Sequence, residues 1–331
     1  MVVEKQKFSK NQINKVGEIL RAHNPSEEIY ENARRDLSDW RELHLPIMNQ
    51  YYEKCQKIVE DLGYKNVIVV QRLKRMPTIL DKIKRYPEMD LSRLQDVAGV
   101  RIVVKDMNEL RGVEKELLNL KPRIKNRIEC PSDSGYRSEH FMFEEDGMIV
   151  EIQLRTYLQH LWATTVETVD IFRGTSLKTG ETDDSWQDFF AMVSSIYAAM
   201  EQTPLPLRYR KIPLQKILED LKKVSEKGNI FRQINGYSKA RVLGKINIPR
   251  EAFYVILTIN PEKKHINCAC YMKDAYSAAV DEYEKMEKYV KENSVLISVN
   301  DFKKVKEAYP NYFMNLEVFE RLTRIILEEI K

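Results

Sequence analysis

From residue 10 to about residue 62 the apolar positions recur at spacings of three and four, Ile13, Val16, Ile19 and Leu20 forming the first stripe, so the chain opens on helices. Residues 66–71 (NVIVVQ) are a β-branched run and predict a strand; after Pro77, residues 78–85 predict a helix with Thr78 near its start. Residues 97–104 (VAGVRIVV) predict a dense apolar strand, and residues 107–120 a helix. Two further strands, 139–144 and 148–154, flank the turn Glu145-Asp146-Gly147, and helices dominate from 156 to 200. This alternation predicts an α+β fold, a mixed β-sheet flanked by helices.

Thr203-Pro-Leu-Pro-Leu breaks the pattern and marks a boundary, followed by a charged helix from about 214 to 226 and the turn-like Lys227-Gly-Asn. Beyond it, residues 252–259 and 266–272 flank Asn260-Pro-Glu-Lys-Lys-His as a hairpin. A helix over 274–292 and a strand over 295–299 complete a ββαβ unit, and two short helices close the chain. The expected organisation is a first domain over 1–205, a linker helix within 206–240 and a small C-terminal domain over 241–331.

The 331 residues, 43% hydrophobic and 31% charged, exclude disorder throughout and are enough for about two domains. No apolar run approaches the roughly 18–20 residues of a membrane span, and the opening MVVEKQKFSK has no apolar signal-peptide core, so a cytoplasmic protein without a membrane partner is expected. Cys55, Cys130, Cys268 and Cys270 show no framework spacing and are expected to be reduced. The net charge of +4 conceals an asymmetry: residues 206–331 hold 24 basic and 17 acidic side chains, residues 1–205 hold 30 and 33. A basic C-terminal part suits a module that recruits a polyanion, one that docks on its own acidic partner domain, or a merely solvated surface.

The densest polar grouping runs through Arg72 and Lys74, Lys82, Asp96 and Arg101, the segment Ser134-Gly-Tyr-Arg-Ser-Glu-His140, and Glu151-Ile-Gln-Leu-Arg155. In a strand, Glu151, Gln153 and Arg155 share one face while Ile152 and Leu154 take the other, and Asp96 borders the neighbouring strand. Two carboxylates amid several cations suit Mg²⁺ bridging polyphosphate oxygens, the cations neutralising charge that develops during phosphoryl transfer. The Gly135-Tyr136 loop offers a ring able to stack on a base, or simply a packed loop residue.

The series as a whole resembles the synthetase domain of the RelA/SpoT family over roughly residues 40–175, with the nucleotidyltransferase-like fold that implies. Members move the β,γ-pyrophosphate of ATP onto a 3′-hydroxyl. The resemblance places ATP contacts on Arg72 and Lys74, further phosphate contacts on Lys82 and Arg101, and metal ligation on Asp96. Glu151 becomes the second metal ligand and the activator of the attacking hydroxyl, with Gln153 and Arg155 beside it; Tyr136 becomes the ring that stacks on the acceptor, and His140 the family histidine. Lys105 and Arg111 are candidates for a second stacking partner. None of the five histidines is followed by Asp, so the hydrolase half of bifunctional relatives is absent. Where guanosine-nucleotide synthetases carry Pro-Lys, this chain has Pro131-Ser132. A hydroxyl does not replace an ammonium on a diphosphate, though Arg137 could compensate.

Residues 225–325 resemble the C-terminal half of CapRel-like fused toxin-antitoxin proteins, in which a pseudo-zinc-finger domain restrains a toxin that pyrophosphorylates the 3′ CCA end of tRNA. The restraining Tyr-x-x-Tyr motif falls on Tyr309 and Tyr312; Pro310 allows both rings to project from a turn, and packing under the last helix with Phe313 and Phe319 is the alternative. A structural zinc on His265, Cys268 and Cys270 would need four ligands, and the domain has no second Cys or His pair to complete them. The resemblance thus implies a Mg²⁺-dependent, ATP-using toxin acting on tRNA and released by a trigger such as a phage protein. An alarmone synthetase acting on free guanosine or adenine nucleotides, and a silent RNA-binding module, are the rivals.

Overall fold

The computed structural model describes residues 8–173, 185–239, 249, 251–260, 265–289, 293–298 and 316–328. Its elements in order are α1 (Lys10–Arg21), α2 (Glu27–Leu43), α3 (Leu45–Asp61), β1 (Ile68–Leu73), α4 (Met76–Arg85), β2 (Ala98–Val104), α5 (Met107–Asn119), β3 (Arg123–Asn126), β4 (Glu139–Glu145), β5 (Met148–Thr156), α6 (Tyr157–Arg173), α7 (Ser185–Met200), α8 (Leu214–Lys227), α9 (Ile230–Lys239), β6 (Tyr254–Asn260), β7 (His265–Tyr271), α10 (Tyr276–Tyr289), β8 (Asn293–Ser298) and a last helix, α11 (Glu317–Glu328).

Local chemistry sets the boundaries. Ser9 caps α1 in a reciprocal box with Gln12, and Asp106 accepts from the amides of Asn108 and Glu109 to start α5. β1 begins two residues later than the β-branched run suggests because Asn66 sits at φ 63°, a left-handed turn position that Asn tolerates. Pro77 lies in the first turn of α4, where a missing N–H costs nothing.

The strands form one sheet in the order β3-β4-β5-β2-β1-β8-β6-β7, with β2 and β5 parallel and the other pairs antiparallel. Ala98, Val100, Ile102, Phe141, Phe143, Val150, Ile152 and Leu154 face α3 and α5 in the central core. Their neighbours in sequence face the other way, which frees that side for polar groups. A second cluster joins α1, α2 and α4 through Leu20, Trp40 and Ile79. Among the described residues no helix is long and apolar enough to cross a membrane.

The ββαβ pattern is present as β6, β7, α10 and β8, but it does not stand apart. β8 pairs with β1 at Gln71↔Ser298 and Arg72↔Ile297, extending the main sheet. The segment read as a linker is also part of a core: Ile217 and Leu221 of α8, and Ile230 and Ile234 of α9, bury into the aromatic cluster of α6 and α7. Leu316 and Phe319 join that same cluster, so α11 packs with the helices that precede the ββαβ unit. β3, short and mostly exposed, gave no apolar signal. Tyr309 and Tyr312 lie outside the described residues.

Candidate active site

One face of the sheet carries the polar series. The register aligns Arg72 of β1 with Gly99 of β2, and Gly99 with Glu151 of β5; one rung on, Arg101 lies beside Gln153, and Gln153 beside His140 of β4. Gly99 puts no side chain between Arg72 and Glu151, which leaves about two strand spacings, roughly 9–10 Å, open between cation and carboxylate. Arg72, Lys74, Asp96, Gly99, Arg101, Glu151 and Gln153 line one cleft.

The two carboxylates are held differently. Asp96, just before β2, accepts from Lys74 Nζ at 2.6 Å and from Lys82 Nζ of α4 at 2.9 Å. Burial alone would raise its carboxyl, but the two ammonium groups outweigh that and hold it far below the usual carboxylate range. Burial pulls Lys74 below its ordinary value despite the attraction of Asp96. Glu151 Oε1 lies 2.6 Å from His140 Nδ1, and Oε2 accepts from Gln153 Nε2 at 2.9 Å. Burial again opposes ionisation there, yet the His140 contact leaves Glu151 below its ordinary value and His140 above its own.

From Glu151 the hydrogen bonds run to the loop that carries Gly135 and Tyr136. His140 Nε2 is 3.0 Å from the Tyr136 hydroxyl, which also accepts from Arg155 Nη2 at 2.8 Å; the same nitrogen donates to Gln153 Oε1 at 3.1 Å. The Arg155 guanidinium lies 5.3 Å from the centre of the Tyr136 ring, and Trp162 is 6.5 Å away. Gly135, at φ 94°, lets this loop press on α7: a Cβ there would stand 2.8 Å from Ser194 Cβ and 3.1 Å from Ala191 Cα.

Arg72, Lys74, Lys82, Arg101, Asp96, Glu151, Gln153, His140, Tyr136 and Arg155 are therefore brought together. Arg137 is not: it is buried beneath the loop, its Nη1 2.6 Å from Glu201, because its side chain leaves the chain opposite to that of Tyr136. Arg111 is engaged by Glu114, Glu129 and Glu139 at 2.8, 2.6 and 3.0 Å, and Lys105 is exposed beside Asp106. The partners of the Tyr136 ring are Arg155 and Trp162 instead. Sequence reasoning also missed Glu201, Ser194 and Gly135 as loop supports; of these only Gly135, beside an aromatic, carried a local signal.

Asp96 and Glu151 offer the hard carboxylate oxygens that Mg²⁺ takes, in a cleft also lined by Arg72, Lys74 and Arg101, so the donor set fits this ion. Among the described residues no group of three or more His, Cys, Asp or Glu side chains is arranged to hold a metal ion, around the cleft or around Cys268 and Cys270, whose sulfurs are 3.6 Å apart.

Residues 71–170 match the family model described as a region found in RelA / SpoT proteins. An uncharacterized protein of Mycobacterium tuberculosis is 36% identical over 109 residues, 30% of this chain and 38% of that protein. GTP pyrophosphokinase YjbM of Bacillus subtilis is 31% identical over 110 residues, 29% of this chain and 52% of YjbM. The chain thus spans about two fifths to one half of the length of these curated relatives. Small alarmone synthetase 1 of Bacillus subtilis, solved with its product pppGpp, is 21% identical with a TM-score of 0.42, over 49% of this chain and 93% of that one. The matched stretch contains each residue gathered at the cleft, from Arg72 to Arg155.

Proposed function

We propose that the RelA/SpoT region at residues 71–170 makes this chain an ATP-dependent pyrophosphokinase. The observation that carries the reading is the convergence of Asp96 and Glu151 with Arg72, Lys74 and Arg101 on one cleft. A 3′-hydroxyl oxygen attacks the β-phosphorus of ATP, the bond from that phosphorus to the α,β-bridging oxygen breaks, and AMP leaves with the electron pair. Glu151, held ionised, takes the hydroxyl proton. Gln153 and His140 fix the orientation of its two oxygens. Arg72, Lys74 and Arg101 steady the triphosphate, and Lys74 and Lys82 exchange Asp96 for phosphate oxygens when ATP arrives. Mg²⁺ held by Asp96 and Glu151 would supply further neutralisation of the polyphosphate charge.

The acceptor we favour is the 3′ CCA end of tRNA, which would block translation. Ser132 stands where the resemblance expects a lysine, and its hydroxyl is spent inside the loop, 2.9 Å from Ser134 Oγ and accepting from the Tyr136 amide at 3.0 Å. Arg137, the candidate substitute cation, is buried. A loop with neither cation suits a phosphodiester better than a free diphosphate. Tyr136, backed by Arg155, would receive the terminal base. Restraint by the C-terminal part is supported by β8 lying against β1 at Arg72, and a trigger such as a phage protein would need to bind the released state better than the docked one.

A second reading, transfer to GDP or GTP, is favoured by the name and 31% identity of YjbM. Purified full chain, and a variant with the β1–β8 seam loosened by Ile297→Ala, which adds no charge beside Arg72, would be incubated with γ-³²P-ATP, Mg²⁺ and either tRNA or guanosine nucleotides. Label on tRNA, stronger in the variant, is expected; label on GDP or GTP makes the chain an alarmone synthetase. Binding of tRNA without any transfer would leave a silent RNA-binding module.

A further inference from the structure

We propose that Glu201, which follows α7 and lies outside the family-matched stretch, is a positioning residue that holds the acceptor half of the site in place. Tyr136 and Arg155 form the acceptor clamp, hydroxyl to guanidinium, on the cleft side. In extended chain the residue after each turns to the opposite side. Those two residues, Arg137 and Thr156, both end on the Glu201 carboxylate. Arg137 Nη1 donates to Oε2 at 2.6 Å, Thr156 Oγ1 donates to Oε1, and Gln159 Nε2 adds a bond to Oε2 at 3.1 Å. One carboxylate therefore ties together, from beneath, the two chain segments whose upper residues clamp the acceptor.

The surroundings make this tie stiff. The side chains of Arg137 and Glu201 are 1% and 6% exposed, so water and salt screen the pair little. Arg137 also donates to Thr203 Oγ1 at 3.0 Å and to Ser194 Oγ at 3.3 Å, and Ser194 in turn donates to the carbonyl of Gly135. On the donor side, Lys74 and Lys82 are bonded to Asp96 rather than to this network. Loss of Glu201 should thus loosen the acceptor clamp and spare ATP binding. The kinetic part of the test rests on the pyrophosphokinase reading; the exchange part does not.

The experiment uses the full chain, its Glu201→Gln and Glu201→Asp variants, and the acceptor that the wild type labels. Backbone hydrogen exchange is expected to quicken about tenfold at residues 132–138 in Glu201→Gln while β1 and β2 keep wild-type protection. The dissociation constant of a non-hydrolysable ATP analogue should change less than about twofold, whereas the acceptor KM should rise about tenfold or more, with partial recovery in Glu201→Asp. Unchanged exchange at 132–138, exchange that quickens equally everywhere, or ATP affinity that falls in step with acceptor affinity would each overturn the proposal. Should Glu201→Gln not fold, Arg137→Lys keeps the charge, loses the fork, and is expected to give the same pattern. If the wild type labels no acceptor, the functional reading fails while the exchange pattern still decides the role of Glu201.

Discussion

Phe319→Ala asks whether the last helix belongs to the catalytic half of the molecule. Phe319 is fully buried, its ring centre 5.9 Å from Phe190, 6.3 Å from Phe189 and 6.4 Å from Tyr197. Truncating a buried phenylalanine costs about 3–5 kcal/mol, and three ring partners put this site toward the upper half of that range. At roughly 2 °C per kcal/mol, the low end for large chains, Tm should fall by about 8 °C. The reporters are built in. Trp186 lies 5.7 Å from Phe190, and Trp162 Nε1 donates to the Phe190 carbonyl at 2.7 Å, so two of the three tryptophans read this cluster. Urea unfolding followed by tryptophan fluorescence should show the midpoint shift directly. A loss below about 1 kcal/mol would mean that α11 is peripheral and that the helices of α6 to α9 close their core without it.

Three further outcomes are expected. Glu139 is fully buried and burial pushes its carboxyl up to about 7, so the folded state holds a proton that the unfolded chain releases above about 4.5; stability should fall as pH rises from 5 to 7. Glu139→Gln should flatten that decline and gain up to roughly 3 kcal/mol at pH 8, read from Tm against pH, and an unchanged slope would refute the assignment. Gly135→Ala combines a strained φ with the Ser194 and Ala191 clashes and should cost about 1–3 kcal/mol along with most acceptor transfer, so a variant with wild-type Tm and rate would show that the loop does not need this approach. Glu151→Gln should slow label transfer by roughly 10²–10⁴, and retention of more than about a tenth of the rate would remove it as the proton acceptor.

The gathering of cations and carboxylates on one face was legible because its spacing is local. Arg72 and Lys74 leave one strand end, Glu151, Gln153 and Arg155 alternate along another, and a period of two is enough to place them on one face. The acceptor half was legible only in its upper layer. Tyr136 was found beside a glycine, but the same alternation that exposes it buries Arg137, and reading Arg137 as a surface cation ignored that reversal. Glu201 carried no signal, since a glutamate after a helix is ordinarily solvated; only tertiary packing turns it toward two segments over forty residues upstream. The placing of a linker over 206–240 rested on punctuation alone. Proline punctuation at 203–206 marks a turn, not the end of a core, and an apolar stripe on α8 does not say which surface it covers.

That revised architecture changes how restraint would have to work. The ββαβ unit sits in sequence between α9 and α11, and both of those helices pack in the aromatic cluster that backs the acceptor loop. Cutting the chain before the unit therefore also removes Leu316 and Phe319, so a truncated protein that loses activity says nothing about inhibition. Among the described residues, contacts that can change without dismantling this core include the two residue pairs between β8 and β1 and the approach of α10 to α2, where the Tyr283 ring lies 5.9 Å from the Arg41 guanidinium. A two-pair ladder is a small fraction of the sheet's hydrogen bonding, and its release would leave β1 as an edge strand still paired along its whole length to β2. A trigger would then have to bind the undocked unit better than the docked one, by more than this seam and the α10–α2 contact contribute, to shift the balance.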